Sequence, residues 1–270
     1  MKNHGEKDLL WERIRLTGEL EGRPVRILET TPSTNTLAME MGKAGAPAGS
    51  VIVAEFQNQG RGRLGKTWHS PVGGGLYFSM ILKPDLAFED VPKMTLAAGL
   101  AVCKAMEILA GVAPAIKWPN DILLGGRKCG GILAEAEILP SSGNFLVILG
   151  VGLNITTPVS LFPSDLQPKV ISLLEYSGRF FSRSAVLKGI LAELDAVILR
   201  LEEGMFPEIL AQWRARDAFK GSILSWVSTE GKVVTGVSLG PDDEGILKIR
   251  EQGGKVHTVL SGDIALAQAL

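Results

Sequence analysis

A short segment rich in glycine and cationic side chains is the first place where this sequence could do chemistry. Residues 57–70 read Gln-Asn-Gln-Gly-Arg-Gly-Arg-Leu-Gly-Lys-Thr-Trp-His-Ser and follow the apolar run Val51 to Phe56. Glycine lets a backbone turn through positive φ and expose N–H groups, and arginine offers a planar fork of donors that matches phosphate or carboxylate. A plain surface loop is the alternative, and three interleaved cations disfavour it. We predict an anion-binding loop whose candidate residues are Gly60, Arg61, Gly62, Arg63 and Lys66.

The same segment matches two phosphate-binding patterns, Gly-x-Gly-x-x-Gly and Gly-x-x-x-x-Gly-Lys-Thr. Both patterns need a helix directly after the glycines, because the N–H groups at its start hold the phosphates. Trp68 to Gly75 contains a proline and a glycine triplet without helical periodicity, and Leu76 to Leu82 reads as a strand. We therefore reject the P-loop and dinucleotide interpretations and predict a strand, a cationic glycine loop and a second strand.

A second polar cluster precedes a predicted helix. Ser33, Thr34 and Asn35 stand just before a helical pattern that starts at Leu37. An N-cap alone would explain one of these side chains. The remaining hydroxyl and amide groups would lie at the positively polarised start of the helix, where a small polar ligand group can be held. Both interpretations, cap alone and cap plus ligand, stay open from composition.

Two clusters with mixed charge follow in the middle of the chain. Lys-Trp-Pro-Asn-Asp at 117–121 reads either as a turn between strands or as a site in which Asn120 and Asp121 meet a ligand. Lys128 lies in a predicted hairpin, and the glycines that follow it, Gly130 and Gly131, allow the backbone to come close to a ligand. Lys128 is accordingly the best candidate for a catalytic cation.

A predicted buried strand over 144–155 carries glycines where side chains are expected. Gly152 allows a ligand or a neighbouring backbone to approach, and Asn154 stands at the exit of the strand.

Composition limits the function classes. The chain has 270 residues, 46% hydrophobic content and a net charge of −1, so one large domain plus a small one is expected and no global field attracts nucleic acid. The start is polar and no run of 18 apolar residues occurs, which predicts a cytoplasmic protein without a membrane partner. Neither the two cysteines nor the three histidines have metal-ligand spacing, so no built-in metal site is expected.

The predicted elements form an α+β pattern. Helices are predicted over Asp8 to Leu16, from Leu37, over Val91 to Leu109 and as a pair within 182–220. Strands are predicted over Val25 to Leu28, Val51 to Phe56, Leu76 to Leu82 and 144–155, and a strand start lies within 116–124. From Gly221 onward, short strands separated by turns predict a small barrel-like domain. The two dozen residues before the first strand leave no room for a helix-turn-helix domain.

Five motifs in this order resemble those of biotin protein ligases. They are Ser-Thr-Asn at 33–35, Gly-Arg-Gly-Arg from Gly60 with Trp68 behind it, Lys-Trp-Pro-Asn-Asp at 117–121, Lys-x-Gly-Gly-Ile-Leu from Lys128, and Gly-Val-Gly-Leu-Asn ending at Asn154. The resemblance covers nearly the whole chain from about residue 25. It implies a mixed, mostly antiparallel sheet packed with helices, as in class II aminoacyl-tRNA synthetases and biotin ligases. The implied catalytic domain covers 1–220, with 1–24 as a helical extension, and an SH3-like β-barrel covers 221–270.

The resemblance also implies a reaction. Such enzymes make biotinyl-5′-AMP from biotin and ATP with Mg²⁺, and pass biotin to one lysine of a biotin carboxyl carrier domain. The resemblance implies catalytic roles for Lys128, Arg61 and Arg63. The implied biotin-binding residues are Ser33, Thr34, Asn35, Gln57, Gly60, Arg61, Gly62, Arg63, Lys128, Gly131 and Gly152, and the implied ATP-binding residues are Lys66, Trp68, Asn120, Asp121 and Asn154.

The resemblance leaves some alternatives. A lipoate protein ligase on a related scaffold is the nearest one, a non-catalytic biotin sensor or repressor is a second, and a P-loop nucleotidase has failed the strand–loop–helix test. The single-activity form without a DNA-binding domain is implied. Relatives often form homodimers, but this sequence does not allow a dimer to be derived, and His69 has no assigned role.

Overall fold

The computed structural model describes residues 8–139, 144–227, 233–259 and 264–266. Its α-helices are α1 Leu9–Thr17, α2 Thr34–Lys43, α3 Val91–Ala110, α4 Leu173–Ser177, α5 Arg183–Glu202 and α6 Phe206–Arg214. Its strands are β1 Glu19–Leu20, β2 Arg23–Thr31, β3 Val51–Gln57, β4 Gly75–Leu82, β5 Ala115–Lys117, β6 Asp121–Leu124, β7 Arg127–Ile138, β8 Phe145–Asn154, β9 Ile223–Val227, β10 Val233–Pro241, β11 Leu247–Arg250, β12 Val256–Val259 and β13 Ile264–Leu266.

The first eight strands form one sheet in the order β1-β2-β3-β4-β8-β7-β6-β5. Only β2 and β3 pair in parallel, joined by the crossover helix α2, and the other neighbours are antiparallel. The predicted mixed, mostly antiparallel sheet is therefore confirmed. The α+β class is confirmed with it, because the helices pack on a mostly antiparallel sheet and only one of them connects two parallel strands.

The two faces of the sheet carry different layers. Helices α1, α3, α5 and α6 cover one face and build the large hydrophobic core with it. Helix α2 covers part of the other face, where Ala38 packs with Ile52, Ile81, Leu146 and Ile148. Since α2 is only 10 residues long, it leaves the rest of this face to other segments. That uncovered part is where the candidate site lies.

The N-terminal helix is tied to the large core by a buried charge. Asp8 caps α1 by accepting from the backbone N–H of Trp11 at 3.1 Å. On β3, Glu55 is only 8% exposed and accepts hydrogen bonds from Trp11 Nε1 at 3.1 Å, from Arg15 at 2.6 Å and from Arg183 of α5. Burial alone would raise the pKa of Glu55, but the bonds and charges of Arg183, Trp11 and Arg15 lower it below its ordinary value.

The segment 116–124, predicted as a strand start or as a turn between strands, contains a turn between two strands. A turn over 118–120 separates β5 from β6, so the turn interpretation of Pro-Asn-Asp is correct. The predicted hairpin follows at once, because Gly125 and Gly126 have φ values of 56° and 76° and join β6 to β7. Both predicted helices within 182–220 are present as α5 and α6, whereas the short helix α4 was not predicted.

The C-terminal strands form a second antiparallel sheet in the order β12-β11-β10-β9-β13. The short strands predicted there are confirmed, the predicted turn at Glu230–Gly231 lies outside the described residues, and the closed SH3-like barrel stays a prediction. This sheet is hydrogen-bonded to the preceding part of the chain: Trp118 Nε1, in the turn after β5, donates to Gly245 O at 3.0 Å, and Arg214, at the end of α6, donates to Pro241 O at 2.9 Å. Among the helices in the described ranges, none combines the length and apolar character needed to cross a bilayer.

Candidate functional site

A cavity of about 310 Å³ lies on the part of the sheet that α2 leaves uncovered. Of the 16 residues proposed from sequence, 15 line it, and they come from segments spread between positions 33 and 154. Gly60 is the exception, and it lies against the carbonyl of Trp68 instead. The residues that line the cavity are therefore neighbours in space as well as members of separate motifs.

Glycines, which have no side chain, form the floor of the cavity. On β8, the residues of this face run from Leu146 and Ile148 under α2 to Gly150 and Gly152. A Cβ on Gly152 would lie 2.5 Å from the Trp68 ring, and a Cβ on Gly150 would lie 2.1 Å from Asn35 Oδ1. A close approach therefore occurs at both glycines, but the approaching groups are the side chains of Trp68 and Asn35. The approach of a ligand to Gly152 stays a prediction.

The start of α2 forms one end of the cavity, and an unexpected residue caps it. Ser33 occupies the N-cap position, but its hydroxyl makes no capping bond. Instead, Gln57 Oε1 at the end of β3 accepts from the backbone N–H of Thr34 at 2.8 Å and from its hydroxyl at 3.2 Å. The predicted cap from Ser33, Thr34 or Asn35 is therefore wrong, because Gln57 on β3 supplies it. Ser33 is buried and lines the cavity, and ligand binding by this cluster stays a prediction.

Asn35 is fixed next to this cap by three side-chain contacts. Its Oδ1 lies 2.6 Å from the hydroxyl of Ser79, and its Nδ2 donates to Leu133 O at 3.2 Å and to Glu135 Oε2 at 2.9 Å. The Ser79 hydroxyl also lies 2.7 Å from Thr34 Oγ1. Asn35 is 5% exposed, so its amide is a rigid part of this wall.

The glycine loop is itself a small hairpin that folds over the cavity. Arg61 pairs with Thr67 as an antiparallel bridge, and Gly62 N–H donates to Lys66 O at 2.7 Å. At the tip, Leu64 and Gly65 have φ values of 55° and 72°. No α-helix begins between this hairpin and β4, so rejecting the P-loop was correct. In the hairpin, Arg61 Nη2 lies 2.6 Å from Glu135 Oε1 on β7.

Trp68 lies across the middle of the cavity floor. A Cβ on Gly131 would lie 3.2 Å from its ring, and Lys128 Nζ lies 5.5 Å from the ring centroid, within cation–π range. The indole therefore covers Gly131 and Gly152 and faces Lys128. It forms an aromatic wall between the α2 end of the cavity and the end that holds Lys128.

Lys128 reaches the cavity because β7 carries a bulge. The pairing of β6 with β7 shifts between Ile122↔Gly130 and Leu123↔Lys128, which inserts one extra residue into β7. Such a bulge bends a strand and redirects the neighbouring side chain. Lys128 Nζ lies 2.6 Å from Asp121 Oδ1, and the two side chains are 34% and 18% exposed. The cation is held in place yet stays open to the cavity.

The two asparagines at this end each use the amide nitrogen for a hydrogen bond to the protein backbone. Asn120 Nδ2 donates to Ile132 O at 2.8 Å, and Asn154 Nδ2 donates to Ile171 O at 3.3 Å. The Oδ1 of Asn154 is buried beside the cavity and has no protein partner among the described residues. A buried acceptor without a donor or cation is unfavourable, so a ligand role for Asn154 stays a prediction that this unsatisfied oxygen makes physically reasonable.

The cysteine next to Lys128 is not a nucleophile. Burial raises the pKa of Cys129 to about 12, partly offset by its contact with Asn154 O. The thiol therefore stays protonated at neutral pH. Across the described ranges, no three His, Cys, Asp or Glu side chains are grouped to hold a metal ion.

Several lining residues were not proposed from sequence. They are Leu64, Thr67, His69, Phe78, Lys117, Trp118, Pro119, Ile132, Leu133, Gly150, Val151, Phe162, Leu166, Val170 and Ile264. Those next to a proposed motif had a usable signal, since Lys117 and Trp118 flank Asn120. Phe162, Leu166 and Ile264 had none, because an apolar wall residue looks like core in a sequence.

Comparisons with known proteins agree with this geometry. The family model described as Biotin/lipoate A/B protein ligase matches residues 27–154. The biotin--[acetyl-CoA-carboxylase] ligase of Mycobacterium tuberculosis is 34% identical over 262 residues, covering 93% of this chain and 92% of that protein. The chain belongs to the biotin protein ligase family. The resemblance drawn from the five motifs is confirmed.

Other members of the biotin protein ligase family match as broadly. The bifunctional ligase/repressor BirA of Bacillus spizizenii is 34% identical over 254 residues, covering 94% of this chain and 77% of that protein. The structure of the Aquifex aeolicus biotin protein ligase in complex with biotin and ATP superposes with a TM-score of 0.76 at 28% identity, covering 91% of this chain and 99% of that one. The biotin ligase-like α+β fold is thereby confirmed.

Proposed function

We propose that this chain is an ATP-dependent biotin protein ligase, which forms biotinyl-5′-AMP and transfers biotin to a lysine of a biotin carboxyl carrier domain. The observation that carries this proposal is the order of groups along one cavity. Neutral polar groups lie at the α2 end, an aromatic wall lies in the middle, and Lys128 with oxygen donors lies at the far end. A cationic hairpin covers these groups. The named activities of the relatives support the same reaction.

The α2 end suits the head of biotin. The ureido group needs both donors and acceptors, and the fused rings need apolar surface. The Ser33 hydroxyl, the Thr34–Gln57 pair and Asn35 offer the polar groups, and Trp68 offers apolar surface next to the glycine floor. A volume of about 310 Å³ fits a small-molecule site. We assign biotin binding to the residues named from sequence, with Gly60 acting through the hairpin backbone.

Lys128 serves the first chemical step. A biotin carboxylate oxygen attacks the α-phosphorus of ATP, the bond from that phosphorus to the bridging oxygen breaks, and pyrophosphate leaves. Two anions must approach each other, and a fixed ammonium between them offsets their repulsion and the charge that develops on the phosphoryl oxygens. Asp121 keeps the ammonium in position at 2.6 Å.

The adenylate must then be protected until a carrier lysine arrives. The amine of that lysine attacks the biotinyl carbonyl, the bond from the carbonyl to the phosphate oxygen breaks, and AMP leaves as the amine loses a proton. Water would destroy the anhydride during the wait, so a lid is needed. We assign this task to the 60–68 hairpin, with Arg63 and Lys66 near its tip as the cations that face phosphate.

The residues at the nucleotide end fit the Mg²⁺ that ATP carries. Mg²⁺ prefers oxygen donors, and the unpartnered Oδ1 of Asn154 and the carboxylate of Asp121 line the same end of the cavity. When bound, Mg²⁺ would neutralise part of the phosphate charge.

Further parts of the proposal rest on the sequence. The partner is the carrier domain of a biotin-dependent carboxylase, in line with the name of the Mycobacterium tuberculosis relative. The near-zero net charge argues against a nucleic-acid partner. Residues 221–270 are proposed as a small SH3-like barrel after a catalytic domain that ends near residue 220. A cytoplasmic location and a homodimer stay predictions.

The test is ATP–pyrophosphate exchange with Mg²⁺ and biotin, lipoate or no acid, for the parent, Lys128→Ala and Lys188→Ala. Lys188 pairs with Glu21 on the surface and is the control. We expect exchange with biotin alone, lost by about 10²- to 10³-fold in Lys128→Ala and unchanged in Lys188→Ala. Exchange with lipoate alone would show that lipoate and not biotin is the acid that is activated, while the adenylation chemistry would stand. Exchange with neither acid, in folded protein, would refute the ligase.

A further inference from the structure

The hairpin that covers the cavity is attached to the sheet at one point that the motifs did not identify. Glu135 lies on β7 opposite Ile148, two residues beyond Leu133 and on the same face as the cavity floor. One carboxylate oxygen lies 2.6 Å from Arg61 Nη2 in the hairpin, and the other accepts from Asn35 Nδ2 at 2.9 Å. A single side chain therefore joins the lid of the cavity to its polar end.

The second contact makes this ion pair different from an ordinary surface pair. An exposed pair loses most of its Coulomb energy to the entropy of holding two long side chains. Glu135 is already held by Asn35, which is 5% exposed and bonded to Ser79 and Leu133. The carboxylate thus meets Arg61 in a fixed orientation, and less freedom is lost when the pair forms.

The chain offers an ordinary pair for comparison. Two residues further along β7, Glu137 pairs with Lys43 of α2 at 2.6 Å. Both of these side chains are nearly half exposed, at 46% and 44%; in the other pair Arg61 is 52% exposed and Glu135 is 26% exposed. Glu137 contacts the same helix from the same strand, and neither Glu137 nor Glu135 is among the residues that line the cavity. It differs from Glu135 in lacking the link to the site.

We propose that Glu135 is a positioning residue for adenylate retention: it holds Arg61, and through Arg61 the hairpin, closed over the cavity. This inference rests on the proposed function. It changes the part expected of Arg61, whose guanidinium is directed to the sheet and anchors the lid, while phosphate contact falls to the cations nearer the tip. The anchor also connects the lid to Asn35, so the lid is tied to the same wall that faces biotin.

A first experiment tests the anchor without any ligand chemistry. Trypsin cleaves after arginine and lysine, so Arg61, Arg63 and Lys66 report whether the hairpin opens. In Glu135→Gln, the initial rate of cleavage within 61–66, mapped by mass spectrometry, should rise about tenfold, as expected for loss of a hydrogen bond between charged groups. In Glu137→Gln it should stay at the parent rate. An unchanged rate in Glu135→Gln would refute the anchor even if no ligase activity exists.

A second experiment tests the role in retention. Preformed biotinyl-5′-AMP is chased from the parent, Glu135→Gln, Arg61→Gln, the double variant and Glu137→Gln. Each single change in the pair should speed release about tenfold, the double variant should match the single ones, and Glu137→Gln should match the parent. A double variant about a hundredfold faster would show that Arg61 acts on the ligand independently and would overturn the proposal.

The same variants separate positioning from simple binding. Glutamine keeps an oxygen that accepts from Asn35, so the KM for biotin in pyrophosphate exchange should stay within about twofold of the parent in Glu135→Gln. Glu135→Ala removes the contacts with both Arg61 and Asn35 and should also raise the KM for biotin. Faster cleavage without faster adenylate release would overturn the role in the reaction. Absence of exchange in the parent would refute the proposed function and leave the proteolysis result standing.

Discussion

Gly150→Ala is the substitution whose effect can be worked out most directly from the structure. The new Cβ would lie 2.1 Å from Asn35 Oδ1 and 2.9 Å from its Cγ. This is about 1.4 Å short of an ordinary contact near 3.5 Å. Gly150 pairs with Ser79 on one side and Leu133 on the other, so the central strand cannot move away. Asn35 must therefore move.

The cost follows from the bonds that Asn35 would lose. Its Oδ1 contact with Ser79 and its Nδ2 bonds to Leu133 O and Glu135 cannot all survive a shift of that size. Each buried hydrogen bond that is broken without a substitute partner costs about 1–3 kcal/mol. We expect the free energy of unfolding to fall by about 3 kcal/mol, and biotin binding to weaken, because the displaced amide faces the cavity.

Gly99→Ala is the matched control. Gly99 is buried within α3, and the nearest atoms to its added Cβ, on Ile116 and Ile132, are all at 3.7 Å, an ordinary contact. Alanine also favours a helix interior over glycine by about 0.5–1 kcal/mol. The same chemical change should thus stabilise the protein at one buried glycine and destabilise it at the other.

Urea unfolding followed by tryptophan fluorescence and far-UV circular dichroism measures both variants, and isothermal titration with biotin measures the site. The expected order of stability is Gly99→Ala, parent, Gly150→Ala. If Gly150→Ala unfolds within about 0.5 kcal/mol of the parent and binds biotin equally well, Asn35 is not held as described. The account of the polar end of the cavity would then be wrong.

Three further predictions concern other parts of the molecule. Glu55→Gln should lower the free energy of unfolding by about 3 kcal/mol at pH 7, since Arg183 loses its buried partner. The pKa of Glu55 is lowered in the folded protein, so this loss of stability, measured by urea unfolding, should shrink as the pH falls through that pKa. Trp118→Phe removes the bond to Gly245 O and should cost about 1–3 kcal/mol, with faster proteolysis of the C-terminal sheet. Arg63→Gly should speed release of biotinyl-5′-AMP and label unrelated proteins in a mixed lysate, and equal retention with label only on the carrier would contradict its role.

Sequence periodicity predicted the main elements because their patterns are strong. The apolar runs of β3, β4 and β8 are buried strands, and the stripe of α5 is a buried helix face. The extent of β2 was underestimated, because only Val25 and Thr31 are buried in it and its exposed polar residues resemble a loop. Helix α4 was missed, since five residues are too few for a helical period to be visible.

The site was harder to predict where its geometry depends on tertiary pairing. Residue types identified Lys128, but only the register of β6 against β7 reveals the bulge that aims it. The cap on α2 comes from Gln57, 23 positions away, so the local preference for a serine cap gave no sign of it. Glu135 follows a recognised motif but lies beyond the glycines, and nothing in its neighbourhood indicated a link to Arg61.

The glycine floor has a consequence for how this protein can vary. A pocket lined by large side chains can be enlarged or reshaped by trimming them, but Gly131, Gly150 and Gly152 have nothing left to trim. Every substitution at these positions adds atoms to a space that is already occupied by Trp68 or Asn35. Substitutions at these positions can therefore only fill the cavity and cannot enlarge it. New ligand preferences would have to arise in the walls and the hairpin, while the floor stays unchanged.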